Sequence, residues 1–270
     1  MRAAPTSAAT ALCLAGLLAG QSWAEDSEDW KFHAVIYVYL PSLDSETTFP
    51  SSGGGSSATV DASKIVDNLN FVFMGSFGAD KGRWGMFTDV IYLDLGDSES
   101  PSRDFSIGGG ALPLGVDATI HYDLVGWLWT LAGSRRLAST AGYELNLIGG
   151  ARLIDADQTI DWQLSGTVGS IALADRAGDR TTGVNNWDAI VGLKGRGMLG
   201  EERRWFVPYY FDVGSGESSL TWQAMTGVGY AFGWGDVILA WRHIDYDMKS
   251  GKTIESITFD GPGVAAAFRW

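Results

Sequence analysis

Hydrophobic and polar residues alternate along most of this chain with a period of two. That is the spacing of a β-strand whose two faces meet different surroundings. Trp30, Phe32, Ala34, Ile36, Val38 and Leu40 share one face, while Lys31 and His33 begin the other. Tyr143, Leu145, Leu147, Gly149, Ala151 and Leu153 oppose Glu144, Asn146, Ile148, Gly150 and Arg152. Trp187, Ala189, Val191 and Leu193 oppose Asn186, Asp188, Gly192, Lys194 and Arg196. Leu220, Trp222, Ala224, Val228, Tyr230 and Phe232 oppose Thr221, Gln223, Gly227 and Gly229. The last stretch sets Val264, Ala266, Phe268 and Trp270 against Gly263, Ala265, Ala267 and Arg269. Residues 83–95 and 117–136 carry apolar groups on both faces, and their length and aromatic content identify them as strands. Ten strands are predicted: 30–41, 69–79, 83–95, 117–137, 142–156, 184–198, 204–213, 219–232, 235–248 and 255–270.

The connections alternate in length. Tight turns fall at Asp80-Lys81-Gly82, Ser139-Thr140-Ala141, Gly200 to Arg203 and Gly233-Trp234-Gly235. The intervening links 42–68, 96–116 and 157–183 are long, and 214–218 and 249–254 are short exceptions. Membrane β-barrels show this asymmetry, with short periplasmic turns and longer outer loops. An even strand count puts both termini on the periplasmic side. One helix is conceivable, capped by Asp61 with Ile65, Val66 and Leu69 on one side, although such a segment is more often plain loop.

Residues 1–24 stand apart from this pattern. Arg2 gives a positive start, Ala8 to Leu18 is uncharged and apolar, and Ser22-Trp23-Ala24 presents small residues at −3 and −1. This predicts a secretory signal cleaved after Ala24, leaving residues 25–270 as the barrel domain. The apolar run is too short for a spanning helix. Leu12 before Cys13 sits where a lipoprotein signal has a small residue. The only cysteine therefore leaves with the signal, so an exported chain folds without disulfides.

Composition narrows the class further. Twelve tryptophans, 36 glycines and 19% charged residues exclude a disordered chain, and the glycines have no triplet period. The net charge of −13, or −14 without residues 1–24, argues against nucleic acid. No apolar run of 18 residues follows the signal, so spanning helices are not expected.

Alternation alone does not separate a soluble barrel from a membrane one; three features favour the membrane. The apolar faces end in aromatics (Trp30, Tyr143, Trp187, Trp205, Trp222, Phe232 and Trp270), as interfacial girdles do. The polar faces mix opposite charges with glycine: Glu144, Arg152, Asp188, Lys194, Arg196, Asp212 and Arg242. Closure leaves no strand edge for lipid to meet.

The terminal run Val264-Ala265-Ala266-Ala267-Phe268-Arg269-Trp270 resembles the last strand of Gram-negative outer-membrane proteins, which ends in an aromatic after alternating apolar positions. In that class the barrel-assembly machinery is thought to read this strand, which makes Phe268 and Trp270 the expected assembly signal. Trp270 stands where the class more often has Phe. Gly82-Arg83-Trp84-Gly85 leading to Asp89, and Trp241-Arg242-His243-Ile244-Asp245-Tyr246, are similar to phrases in uncharacterised barrels of this size. The resemblance implies a bacterial outer-membrane location, with membrane lipid and lipopolysaccharide as surroundings, and carries no residue-level function.

Catalytic and binding motifs are sparse. Ser250-Gly251-Lys252-Thr253 lacks the first glycine of a phosphate loop, since Tyr246 stands there. Asp245-x-Asp247 begins like a calcium loop but meets Lys249. No metal or cofactor is expected. Two His-x-Asp pairs, His121 with Asp123 and His243 with Asp245, each share a strand face near the outer rim. Ten-strand outer-membrane proteases use carboxylates and a histidine near that rim to activate water, so these are the candidates for a hydrolase. The spacings do not reproduce a protease motif, and His243 falls on the lipid face unless a bulge intervenes. A lipid-modifying enzyme with a serine such as Ser76 or Ser134 is a lesser candidate.

The lumen charges have two readings: an internal network that fills a narrow barrel, or the lining of a small channel. Lumen-side glycines Gly192, Gly227, Gly229 and Gly263 make room for larger neighbours or for a thin path. Acidic loop residues Asp97, Glu99, Asp104, Asp155, Asp157, Asp175 and Asp179 read mainly as a solvated rim, with cation-bridged lipopolysaccharide as the alternative. The sequence thus predicts an all-β, closed antiparallel transmembrane barrel of about ten strands, with eight or twelve as alternatives. Its expected role is non-enzymatic, either structural or as a narrow permeation path. A rim hydrolase and a soluble secreted ligand-binding barrel are the alternatives.

Overall fold

The computed structural model describes residues 29–49, 54–60, 69–101, 106–107, 110–111, 116–168, 171–172, 176–252 and 254–270. The signal segment and the 61–68 helix candidate lie outside the described residues. In chain order the strands are β1 (Lys31–Tyr39), β2 (Ser42–Phe49), β3 (Gly54–Val60), β4 (Leu69–Lys81), β5 (Trp84–Pro101), the short β6 (Ser106–Ile107) and β7 (Gly110–Ala111), and β8 (Val116–Ser139). They continue with β9 (Tyr143–Val168), the short β10 (Ile171–Ala172), β11 (Arg176–Leu199), β12 (Trp205–Gly216), β13 (Ser218–Ala231), β14 (Gly235–Met248) and β15 (Ile254–Arg269).

Ten of these strands form the wall in the order β1-β4-β5-β8-β9-β11-β12-β13-β14-β15, every neighbouring pair antiparallel. β1 then pairs with β15, from His33 with Arg269 to Tyr39 with Gly263, and the sheet closes. Closure satisfies every wall strand on both sides, which a lipid environment demands. The count is ten, as the alternation predicts. β15 is longer than β1, and its outer half pairs instead with β2, which pairs with β3.

The tight turns lie where expected. Lys81 pairs with Trp84 across Gly82-Arg83, and Gly82 adopts φ 58°, a left-handed conformation that glycine accepts without strain. The links 96–116 and 157–183 are shorter than the alternation implies, because β5, β8, β9 and β11 continue as paired strands past the expected ends. The extensions of β5 and β11 are polar, whereas that of β9 sets Ile160, Trp162, Leu164 and Val168 against Asp161, Gln163, Ser165 and Thr167, an alternation that falls within the link predicted over 157–183.

The outward face is apolar. Ile36, Leu193, Val191, Val228, Leu239 and Val264 are exposed, as a lipid-facing surface requires. Aromatic belts flank this zone. At the short-turn end stand Trp30, Trp84, Tyr143, Trp205, Phe232, Trp234 and Trp270; at the other end stand Trp127 and Trp187, all exposed. Trp187 lies ten residues up β11 from Gly197, the partner of Tyr143. At ~3.3 Å per residue and a tilt of ~40°, the belts lie about 25 Å apart, the height of an outer-membrane apolar band.

Candidate functional site

Inward-facing side chains divide the lumen into three tiers, an outer one at the loop end, a middle one, and an inner one at the short-turn end.

The outer tier is apolar. Tyr39, Met74, Ile91, Leu93, Leu124 and Leu128 pack with Ile154, Val184, Ile244, Met248 and Ile257 in one buried cluster. Its members come from eight of the ten wall strands, together with Leu43 of β2. The cluster therefore crosses the lumen rather than lining one wall. It explains why 83–95 and 117–136 carry apolar groups on both faces: Ile91, Leu93, Leu124 and Leu128 face the cluster, and Met86, Val125, Trp127 and Leu131 face outward.

Beneath it lies a dry polar tier. Arg152 and Asp212 are wholly buried and form an ion pair through Nη2 and Oδ2. Arg152 also donates from Nε to Thr130 Oγ1 at 3.3 Å and from Nη1 to Thr221 Oγ1 at 3.5 Å. A buried guanidinium needs such partners, since desolvating it unpaired costs several kcal/mol. Asp188 is held at the strand end, where its Oδ1 accepts from the Ser218 backbone N–H at 2.8 Å. Asn186 donates to Ser218 Oγ at 3.1 Å.

The third tier surrounds a cavity of about 400 Å³ that reaches the short-turn ends of the strands. At its head, Arg242 donates to Asp89 Oδ2 at 2.8 Å, to Gln223 Oε1 at 3.2 Å and to Tyr37 Oη at 3.0 Å. Tyr37 in turn donates to Asp89 Oδ1 at 2.9 Å. At its foot, Arg269 pairs with Asp236, and Arg196 stands 3.6 Å from Asp236 and 4.0 Å from Glu144. His33 Nδ1 stands 3.4 Å from Asp80. Lys194 Nζ rests 3.8 Å from the centroid of the Phe87 ring. Gly229 gives Phe206 its place in this wall, for a Cβ there would fall 2.2 Å from the ring.

All seven charged residues predicted for the lumen (Glu144, Arg152, Asp188, Lys194, Arg196, Asp212 and Arg242) sit on inward positions. They do not form one network. Arg152 and Asp212 make one unit, Asp188 belongs to the Asn186–Ser218 corner, and the other four surround the cavity. Sequence reasoning missed Tyr37, Asp89, His33, Asp80, Asp236 and Arg269. Their alternation signal was present, but each finds its partner on another strand, which a local pattern does not reveal.

Of the girdle residues, Trp30, Tyr143, Trp187, Trp205 and Phe232 are exposed on the outer surface, as are Phe268 and Trp270. Trp222 also points outward and packs on His243, ring centroids 4.5 Å apart.

The His-x-Asp pairs separate. No register shift interrupts β14 between Asp236 and Asp247, so His243 and Asp245 both face away from the lumen. His243 Nδ1 lies 2.8 Å from Asp260, which also accepts from Trp241 Nε1 at 3.0 Å. Asp245 accepts from Thr258 Oγ1 at 2.6 Å. These contacts tie β14 to β15 on the outside of the wall. Asp123 shares the outward side of β8 with Val125 and Trp127, and the side chain of His121 lies outside the described residues. So do the side chains of Asp97, Glu99, Asp104 and Asp175, whereas Asp155 and Asp157 lie on the outward side of β9. Ser134 is buried near Gly85, and Ser76 lines the cavity.

No protein-family model matches the chain, and no curated protein matches it in sequence. Solved structures do. The outer membrane protease OmpT from Escherichia coli is similar over 92% of this chain and 98% of that one, with a TM-score of 0.54 and 11% identity. Ail, the attachment invasion locus protein of Yersinia pestis, covers 89% and 99% with a TM-score of 0.29 and 9% identity. The CymD monoaromatic hydrocarbon channel covers 90% and 89% with a TM-score of 0.30 and 9% identity. The likeness to OmpT is one of fold. The exposed apolar belt is what a membrane-spanning barrel of that fold presents to lipid.

Proposed function

We propose that this protein is a non-enzymatic, non-conducting outer-membrane barrel, sealed in its outer half and open toward the periplasm. The observation that carries this reading is the apolar cluster contributed by eight wall strands. A hydrated ion meets mostly carbon there, the hydroxyls of Tyr39 and Tyr246 excepted, and the buried Arg152–Asp212 tier closes the path again beneath it. Of the two roles expected from the sequence, this favours the structural one over a permeation path.

The outward placement of His243 and Asp245 speaks against a hydrolytic site on that strand. The exposed belt of Ile36, Leu193 and Leu239 speaks against a soluble barrel. The chain reaches its site through residues 1–24 as an export signal and through Phe268 and Trp270, read by the barrel-assembly machinery. Outer-membrane lipid and lipopolysaccharide are its standing surroundings.

The test is single-channel recording of the refolded mature chain in a planar bilayer, with a heat-dependent gel shift as proof of folding. Folded protein that produces no current supports the proposal. Discrete, salt-dependent steps overturn it.

A further inference from the structure

Among the described residues, one cation of the inner-tier cavity lies beyond ion-pair distance of every carboxylate. Arg242 is matched by Asp89, Arg269 by Asp236, and Arg196 stands between Glu144 and Asp236. Lys194 has no ion pair among the described residues. Its ammonium faces the aromatic ring of Phe87 instead, a contact that holds a cation in place without neutralising it. The carboxylates whose fields reach it, Asp80 first, stand nearer to other groups. Asp80 faces His33, Glu144 accepts from Asn146 at 3.0 Å, and Asp89 accepts from Tyr37 and Arg242.

The remaining wall is mostly carbon. β11 and β1 are the sixth and first of the ten wall strands, so Lys194 looks across the lumen at β1 and its neighbours. Val35, Ile238, Ala240, Ala265 and Ala267 line that opposite side. A space of about 400 Å³ lies within the range of small-molecule sites, which pair an apolar wall with a few placed polar groups.

We infer that this cavity is a binding site for a small amphiphilic monoanion, a single carboxylate on an apolar body, that enters from the periplasm. The carboxylate pairs with Lys194 beside Asn146, and the apolar body lies against Val35, Ile238 and Ala265. A dianion is disfavoured, because the other cations of the cavity are already committed. A neutral analogue leaves the ammonium unmatched in an apolar wall. The inference rests on the inner half being a dead-end chamber.

The experiment is calorimetric titration of octanoate into the mature protein in lipid nanodiscs, against Lys194→Met and against octan-1-ol. Lys194→Met keeps the side-chain length and removes the charge, and its heat-dependent gel shift reports retained folding. The site predicts saturable octanoate binding with one ligand per barrel, at least tenfold weaker in Lys194→Met and at least tenfold weaker for octan-1-ol with the wild type. Equal octanoate binding by both proteins overturns the inference, as does equal binding of octan-1-ol or no saturable heat. The outcome is separable from the conductance test. Current through the barrel refutes the sealed chamber whatever octanoate does, and silence with no octanoate binding refutes the ligand alone.

Discussion

Substituting Asp212 by Asn removes one charge from the pair that closes the lumen while keeping side-chain volume and an acceptor oxygen. Arg152 then has only neutral partners for a wholly buried guanidinium: the amide oxygen at 212, and Thr130 and Thr221 at 3.3 and 3.5 Å. Two unit charges about 4 Å apart attract by about 4 kcal/mol at an effective dielectric of 20. Breaking one half of a buried pair typically costs about 3–5 kcal/mol, because the surviving charge has lost its solvation and its partner. We therefore expect Asp212→Asn to destabilise the barrel by about 3 kcal/mol, roughly a hundredfold in the folding equilibrium. The double variant Arg152→Met, Asp212→Asn strands no charge and lies within about 1 kcal/mol of wild type. The assay is urea unfolding in lipid vesicles, read by tryptophan fluorescence and by the gel shift. A cost below 1 kcal/mol for Asp212→Asn would refute the reasoning, because it would mean that water reaches Arg152 and takes over the role of the carboxylate. The same water would breach the proposed seal, so this measurement bears on conductance as well as on stability.

Leu239 is 62% exposed on the outward face, midway along β14. Leu239→Arg should cost about 2–4 kcal/mol in vesicles, as arginine does at the bilayer midplane, and a neutral effect in the urea titration would count against a lipid-facing belt. Trp270→Ala should lower the amount of assembled barrel in cells several-fold while leaving refolding of the purified chain into detergent intact. Equal assembly by surface labelling would remove the terminal residue from the assembly signal.

Most of the wall was legible in the sequence because lipid outside and charge inside produce clean alternation. β9 is the clearest case: Glu144, Asn146 and Arg152 alternate with Tyr143, Leu147 and Leu153, and the structure places them on opposite faces. The pattern blurred on β5 and β8 for a physical reason. Ile91, Leu93, Leu124 and Leu128 face an interior that is as apolar as the lipid, so both sides of the strand select the same residues. Blurring of a barrel strand is thus itself informative, because it marks where the lumen is packed dry. The extensions of β5 and β11 past their expected ends escaped notice for the converse reason: they are polar, and only backbone pairing defines the strand.

The chemistry of the interior was legible only to the level of a face. Lys194 and Arg196 lie two residues apart on β11 and look equivalent in sequence, yet Arg196 stands near two carboxylates and Lys194 faces a phenyl ring. The difference comes from partners far away in the chain: Glu144 on β9, Asp236 on β14 and Phe87 on β5. Which of these meets which cation is set by closure of ten strands and by the register of each pair, neither of which the local pattern encodes. Arg242 shows the same dependence. Its partners Asp89 and Tyr37 are 153 and 205 residues distant, and they meet it only because β1 closes onto β15. Barrel closure therefore does more than remove an exposed edge. It decides which charges cancel across the lumen, and it leaves Lys194 as the cation that a ligand can complete.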